Sequence, residues 1–255
     1  MRSPCKPYQN AALGAWLILL AGLVLAFAAA TASARDPLPL VTGNGYPPFA
    51  DSGLPGGGLT TALVRRVFRE LDRPVDIAFK PWPRGYRATL NGDFEATFPY
   101  LYTPERAADF HYSDPLFTVH LRVFVPADAP ADKLADLTGK TLCVPLGYAI
   151  TRDIRQMLAD LDYEEGEPRT MNQCLRMLGR DRVDFVAITR RHADSLLAEL
   201  PLERERLRML EDVDVSADLH LIVPKQRDGA RRLLADFNRT LARLREQGEV
   251  RPLSD

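Results

Sequence analysis

The arginine with the most chemically suggestive neighbours is Arg106. It sits in FPYLYTPERAADFHYSDPLF, Phe98 to Phe117, after an aromatic strand and before a Tyr-Ser-Asp-Pro turn. A guanidinium offers five donors in a rigid fork that fits a carboxylate, and aromatic walls beside it keep water out. That pairing points to capture of a small anion. An ordinary surface arginine after a strand has the same local sequence, so both readings stand at this point. Glu95, upstream of the same strand, is the carboxylate placed to act as a general acid or base, although an edge glutamate more often has a structural partner. His111, His120, His192 and His220 are scattered, with no ligand spacing to one another or to cysteine or carboxylate. They read as packed or exposed histidines, not as a metal site. The chain has no G-x-S-x-G elbow, no Walker loop and no H-E-x-x-H, and neither GNGYPP nor PGGGLT has dinucleotide-binding spacing. The triple glycine Gly56 to Gly58 before a helix is either an anion-binding turn or a plain turn tip. No cofactor is expected.

The elements that must position these groups follow from periodicity. LPLVT (38–42) is an apolar strand ending in a Gly-Asn-Gly turn. Leu59, Leu63, Val67 and Leu71 recur every four residues and predict an amphipathic helix. VDIAF (75–79) alternates as a strand. PWPRGYRATLNGD predicts a helix with Pro83 at its first position and Gly92 past its end. FEATFPYLY is the third strand. Strand, helix, strand, helix, strand is an α/β unit with a largely parallel sheet. LRVFVPA (121–127) is a further strand, and after a polar stretch the pattern restarts at TLCVPLGY. AITRDIRQMLADL and NQCLRMLGRD are helices, and RVDFVAI (182–188) is a buried strand. LHLIVPK (219–225) echoes LRVFVPA, which predicts two connecting strands lying side by side. The last helix carries Leu233, Leu234, Phe237, Leu241 and Leu244 on one face. The whole reads as two similar α/β halves joined by two extended segments, with a ligand cleft between them.

The N-terminus sets the compartment. Arg2 and Lys6 precede an uncharged apolar run over 11–30, and Ala32-Ser33-Ala34 supplies a cleavage point. These are the parts of a secretory signal, so residues 1–34 are expected to be removed and the mature chain to begin near Arg35 in the periplasm. An uncleaved anchor is the alternative that the length of the run leaves open. The mature chain of 255 − 34 = 221 residues carries 31 basic and 34 acidic side chains, net −3, spread along its length. No nucleic-acid partner is implied. The densest charge run, ERERLR (203–208), reads as a solvated face. Export leaves two cysteines, Cys143 and Cys174, in an oxidising compartment, where a disulfide is expected; two separately buried thiols are the other possibility.

Six segments in order make the chain resemble the bacterial extracellular solute-binding proteins of the polar amino acid type, family 3. They are GYPPF, GGGLTTALV, NGDFEA, TPERAADFHYSDPLF, LTGKTLCVPLGY and LGRDRVDFVAI. The resemblance implies a two-lobe periplasmic-binding-protein-like fold of type II, each lobe a mixed, mainly parallel sheet flanked by helices. It implies lobe 1 over 36–121 plus 222–255, lobe 2 over 122–221, and closure about the crossover segments. Carried over residue by residue, Tyr46 and Trp82 match aromatic positions that stack on the ligand. Arg106 matches the arginine that clamps a carboxylate. Phe98, Pro99 and Leu101 stand where amino-acid binders usually place hydroxyl residues. Thr189 occupies the position of the acid that holds the ligand ammonium, and Gly43 replaces another acid. Tyr148 replaces a small hydroxyl residue. The implied contact set is therefore Tyr46, Trp82, Phe98, Arg106, Tyr148 and Thr189. An ammonium without a buried carboxylate partner is costly, so the ligand expected is a small carboxylate-bearing or polar molecule with an apolar or planar part.

The implied protein is a monomeric periplasmic binder that delivers its ligand to a membrane transporter permease or sensor. Two rivals share the scaffold: a dehydratase-like periplasmic enzyme, which would need a group such as Glu95 aimed into the cleft, and a sensor or accessory protein with a vestigial cleft.

Overall fold

The computed structural model describes residues 36–148 and 157–250. The expected leader and cleavage point, and most of the helix expected over 149–161, lie outside these residues.

Each half of the fold begins where apolar side chains alternate. Strand β1 (Leu38–Thr42) is buried over its last three residues and pairs in parallel with β2 (Val75–Phe79) and β3 (Ala96–Leu101). Helix α1 (Leu59–Glu70) links β1 to β2, and α2 (Trp82–Leu90) links β2 to β3. The buried face of α1 is Leu63, Val64, Val67 and Phe68, whereas Leu59 is 38% exposed. The four-residue recurrence read from the sequence drifts about 40° per step around a 3.6-residue helix. Leu59 is therefore carried off the stripe, and Phe68 completes it. Helix α2 starts at Trp82 with Pro81 in the capping position, one residue earlier than expected. Gly56 to Gly58 form a tight turn in which the Gly57 and Gly58 N–H groups donate to Leu54 and Pro55. Those two donors are taken up locally, which favours the plain turn.

After α3 (Pro104–Asp109) and the short β4 (Phe110–Tyr112), the ten-residue β5 (Phe117–Pro126) leaves for the second half. There β6 (Lys140–Cys143), β7 (Tyr163–Gly166) and β8 (Phe185–Thr189) form a parallel set flanked by α4 (Met171–Leu178) and α5 (Arg190–Ala198). Helix α6 (Pro201–Arg206) and β9 (Leu207–Met209) contain the ERERLR run; positions 204–206 are exposed and Leu207 is buried. Strand β10 (Val215–Pro224) returns to the first half, where α7 (Ala230–Glu246) closes the chain.

The sheet order is β2-β1-β3-β10-β5-β8-β6-β7, with β4 on β10 and β9 on β5. Either side of the β10–β5 pair the arrangement repeats: β10 runs antiparallel to β3 as β5 does to β8. The crossover strands lie side by side, but over 117–121 and 215–219, ahead of the two echoing segments. LRVFVPA continues onto β8 and β9, while LHLIVPK continues onto β3 and β4. The echo marks equivalent places in opposite halves.

The cores follow the same division. Leu40, Val67, Phe68 and Phe98 pack with Leu233, Phe237 and Leu241 of α7. On one face of the second half Val186 and Ile188 meet Leu175, Leu178 and Leu196. On the other, Leu142 and Phe185 meet Val123 and Leu210. Cys143, ending β6, and Cys174 in α4 are disulfide-bonded, with Cα atoms 5.7 Å apart and a sequence separation of 31. Both are at most 1% exposed. Closing a loop of that length stabilises by roughly 3–4 kcal/mol in the chain-entropy account. The double variant Cys143→Ala/Cys174→Ala is expected to lose that amount in urea unfolding, and unchanged stability would mean the bridge constrains nothing.

Candidate ligand cleft

Six side chains from both halves converge above the β10–β5 pair, and local sequence explains how each arrives. Trp82 opens α2, and its indole Nε1 donates to the Asn44 carbonyl at 3.0 Å. The indole then lies directly over Gly43: a Cβ there would sit 2.1 Å from Trp82. The tryptophan fills the space that a side chain at position 43 would need. Tyr46 is held by a tight loop in which its N–H donates to Ala50 at 3.1 Å. From the second half, Gly147 (φ +84°) turns the chain against Trp82 and Pro83 so closely that a Cβ would meet them at 3.0–3.1 Å. Tyr148 follows, and its hydroxyl lies 3.5 Å from the Gly45 carbonyl.

Arg106 sits in the first turn of α3, where Thr103 Oγ1 accepts its backbone N–H. Its guanidinium donates to the Leu101 carbonyl and to the Gly147 carbonyl, each at 3.3 Å, so it touches both halves. Its charge lies 4.8 Å from the Tyr100 ring centroid and 5.9 Å from that of Tyr86, a cation–π arrangement. Among the described residues no carboxylate pairs with it. The Tyr100 phenol is pushed up to about 12 by burial, which the Arg106 charge only partly opposes.

Tyr46, Trp82, Tyr100, Leu101, Arg106 and Tyr148 line a chamber of about 410 Å³. Tyr46 makes edge contacts with Trp82 and with Tyr148, both at 6.2 Å between centroids. Behind Tyr46 and Tyr148 a second chamber of about 490 Å³ reaches into the second half, past Leu101 and Met171 to Thr189 and His192. Towards solvent the first chamber widens into an open groove lined by Arg87 of α2, by Glu105 and Asp109 of α3, and by Glu165 and Glu167 of the second half.

Of the six expected contact residues, five line these chambers: Tyr46, Trp82, Arg106, Tyr148 and Thr189. Phe98 does not. It is fully buried in the core beneath α1 and α7, and Pro99, Tyr100 and Leu101 reach the cleft instead. The register shifts between the Tyr100–His220 and Thr97–Ile222 pairs, which breaks the alternation of β3 after Phe98; Phe98 stays with Ala96 in the core while Tyr100 reaches the cleft, and this corrects the sequence reading. Glu95 lines none of the three chambers and is ion-paired with Arg227. The group named for the enzyme reading is therefore structural.

His192 is the residue the sequence reading passed over. It is completely buried, with Tyr46 edge-on at 4.6 Å and Tyr148 stacked at 6.3 Å. Burial pushes its imidazole down to about 3, with the nearby Gly45 carbonyl opposing. Burial also raises the phenols of Tyr46 and Tyr148, and the Thr189 side chain eases the rise at Tyr46. The available signal was spacing: His192 follows Thr189 by three residues, one turn at the start of α5, which sets both on one face.

Comparison with solved structures places the fold among periplasmic binding proteins. A histidine kinase sensor domain with similarity to periplasmic binding proteins matches with a TM-score of 0.73 at 20% identity, covering 85% of this chain and 93% of the other. An arginine third transport system periplasmic binding protein from Legionella pneumophila gives 0.71 at 18% identity, covering 84% and 96%. The arginine-, lysine-, histidine-binding protein ArtJ from Geobacillus stearothermophilus gives 0.69 at 18%, covering 84% and 91%. A sequence search of curated proteins returns no match. The profile of one family, however, matches residues 38–255, nearly everything after the leader-like segment. The chain belongs to the bacterial extracellular solute-binding proteins, family 3.

Proposed function

We infer that the protein is a non-enzymatic periplasmic solute-binding protein that holds a small carboxylate-bearing ligand between Arg106 and the aromatic walls of Tyr46, Trp82 and Tyr148. The observation that carries this is Arg106 itself. Its cation stands in an aromatic cleft, bonded only at 3.3 Å to main-chain carbonyls of both halves and unpaired with any carboxylate among the described residues. A bound carboxylate would replace those two long bonds with a bidentate, charge-assisted pair. Among the described residues Arg106 is the one charged side chain lining the inner part of the cleft, so one carboxylate per ligand is the fitting charge.

The halves serve as lobes, 36–121 plus 222–255 and 122–221, that open about the paired segments 117–121 and 215–219. Delivery to a membrane transporter or a sensor is supported by family membership and by neighbours of both kinds, a sensor domain and the substrate-binding protein of an amino acid ABC transporter. Among the described residues no helix is long and apolar enough to cross a membrane. Thermal melts against the proteinogenic amino acids and simple mono- and dicarboxylates test the reading. A cognate monocarboxylate at a hundredfold excess over Kd should raise Tm by about 5–10 °C. No shift with any of them, together with no small molecule seen by native mass spectrometry of protein from its own periplasm, would overturn it.

A further inference from the structure

We propose that Thr189 and His192 form an inner subsite, behind Tyr46 and Tyr148, that takes the uncharged end of the ligand: a hydroxyl or a primary amide. The inference extends the carboxylate reading to the far end of the same molecule, and its test does not depend on Arg106. His192 is 0% and Thr189 4% exposed, and both face the second chamber. The Gly45 carbonyl stands near the His192 ring and the Tyr46 hydroxyl near Thr189, but neither meets hydrogen-bond geometry, so Thr189 Oγ1 and both ring nitrogens of His192 are left unsatisfied among the described residues. Buried side-chain polar atoms are almost always paired, so three orphans on one chamber wall mark a place where a partner arrives from outside.

The chemistry of that partner follows from the wall. No Asp, Glu, Lys or Arg lines the chamber; Leu101, Leu121, Met171 and Ala187 make up much of the rest. A neutral imidazole presents one N–H donor and one lone pair, and a threonine hydroxyl offers both roles. The complement is a group that donates and accepts without carrying charge. A methyl end would leave the three atoms orphaned. An ammonium would lose its hydration without meeting a carboxylate. Burial holds the His192 ring neutral at pH 7, its pKa being down to about 3, so the ring does not serve as an anion site either. Thr189 and His192 thus form a neutral pair one helical turn apart.

The experiment follows the ring nitrogens of His192 by ¹⁵N NMR in the full-length mature protein. Butyramide, which has no carboxylate, is titrated beside butylammonium of similar length. The expected result is that butyramide moves the His192 ring resonances and butylammonium does not. Calorimetry then compares linear monocarboxylates ending in hydroxyl, amide or methyl. The hydroxyl and amide ends should bind about tenfold tighter than the methyl end. His192→Phe should erase that ratio, while His192→Gln, which keeps a donor and an acceptor, should retain most of it. Ring resonances unmoved by butyramide, or a ratio unchanged in His192→Phe, would sink the subsite even if carboxylates bind through Arg106. A butyramide response with no carboxylate binding would instead sink the Arg106 reading and keep this one.

Discussion

Arg106→Ala should bind a cognate carboxylate roughly 30- to several-thousand-fold more weakly than the wild type. Removing one side of a buried, hydrogen-bonded charge pair costs about 2–5 kcal/mol, and that range of energies gives the range of affinities. Arg106→Lys should recover only part of the loss, because an ammonium has no two-pronged fork and stacks less well on Tyr100. In the ligand-free protein the guanidinium donates two long bonds to carbonyls and sits outside the three main cores, so the unliganded Tm should change little. Calorimetric titration of the three proteins, with melts of each, decides the matter. Equal affinities would remove Arg106 from the site, and a large fall in the unliganded Tm would make it a structural residue.

Acid should destabilise the protein through His192. In the unfolded chain the imidazole titrates near its ordinary 6.5, while in the folded protein burial holds it down to about 3. Between those values the unfolded state binds the proton and the folded state does not, so the folding advantage is complete above about pH 6.5 and drains away as pH falls. A displacement of that size corresponds to a loss of about 5 kcal/mol once the folded pKa is passed, roughly half of it by about pH 4.5. The titratable groups facing the ring, Tyr46 and Tyr148, have phenols raised by burial and stay uncharged throughout. His220, half-buried on β10 with Nδ1 2.8 Å from the Ser113 carbonyl, is lowered too and acts in the same direction. The His192 share is therefore read as a difference in slope. Urea unfolding of wild type and His192→Phe across this pH range should give the variant the flatter dependence, and parallel slopes would refute the assignment.

Much of the fold was legible because its signals are local. β1 and β2 were read to the residue from alternation and flanking turns, and the α7 stripe from Leu233 to Leu244 is the buried face observed. The Cys143–Cys174 bridge followed from compartment and count, and the structure pairs them. What escaped needs information from across the sheet. Strands β4, β7 and β9 are three or four residues long, and YEEG in β7 has no apolar alternation to announce it; each exists because a neighbouring strand offers an edge. Phe98 was assigned to the cleft by its position in a resemblance, yet a register shift against β10 breaks the alternation of β3, keeping Phe98 in the core and leaving Tyr100 to meet Arg106. A lone histidine at the start of a helix carries no local mark of burial. His192 is buried by Tyr46, 146 positions away in the chain, and no window of sequence holds both.

The exchange of β5 and β10 between the halves also sets an order of events for the growing chain. The second half is nearly continuous in sequence, from β5 to β9. The first is discontinuous: its sheet needs β10 beside β3, and its core needs Leu233, Phe237 and Leu241 of α7 over Leu40 and Phe68. A polypeptide threaded out amino end first therefore delivers β1, β2 and β3 early but cannot seal them until its last helix arrives. Until then the segment around Leu40, Phe68 and Phe98 is an open apolar surface with an unpaired strand edge, the kind of intermediate that aggregates or recruits a holdase. The part of the protein made first is the part finished last.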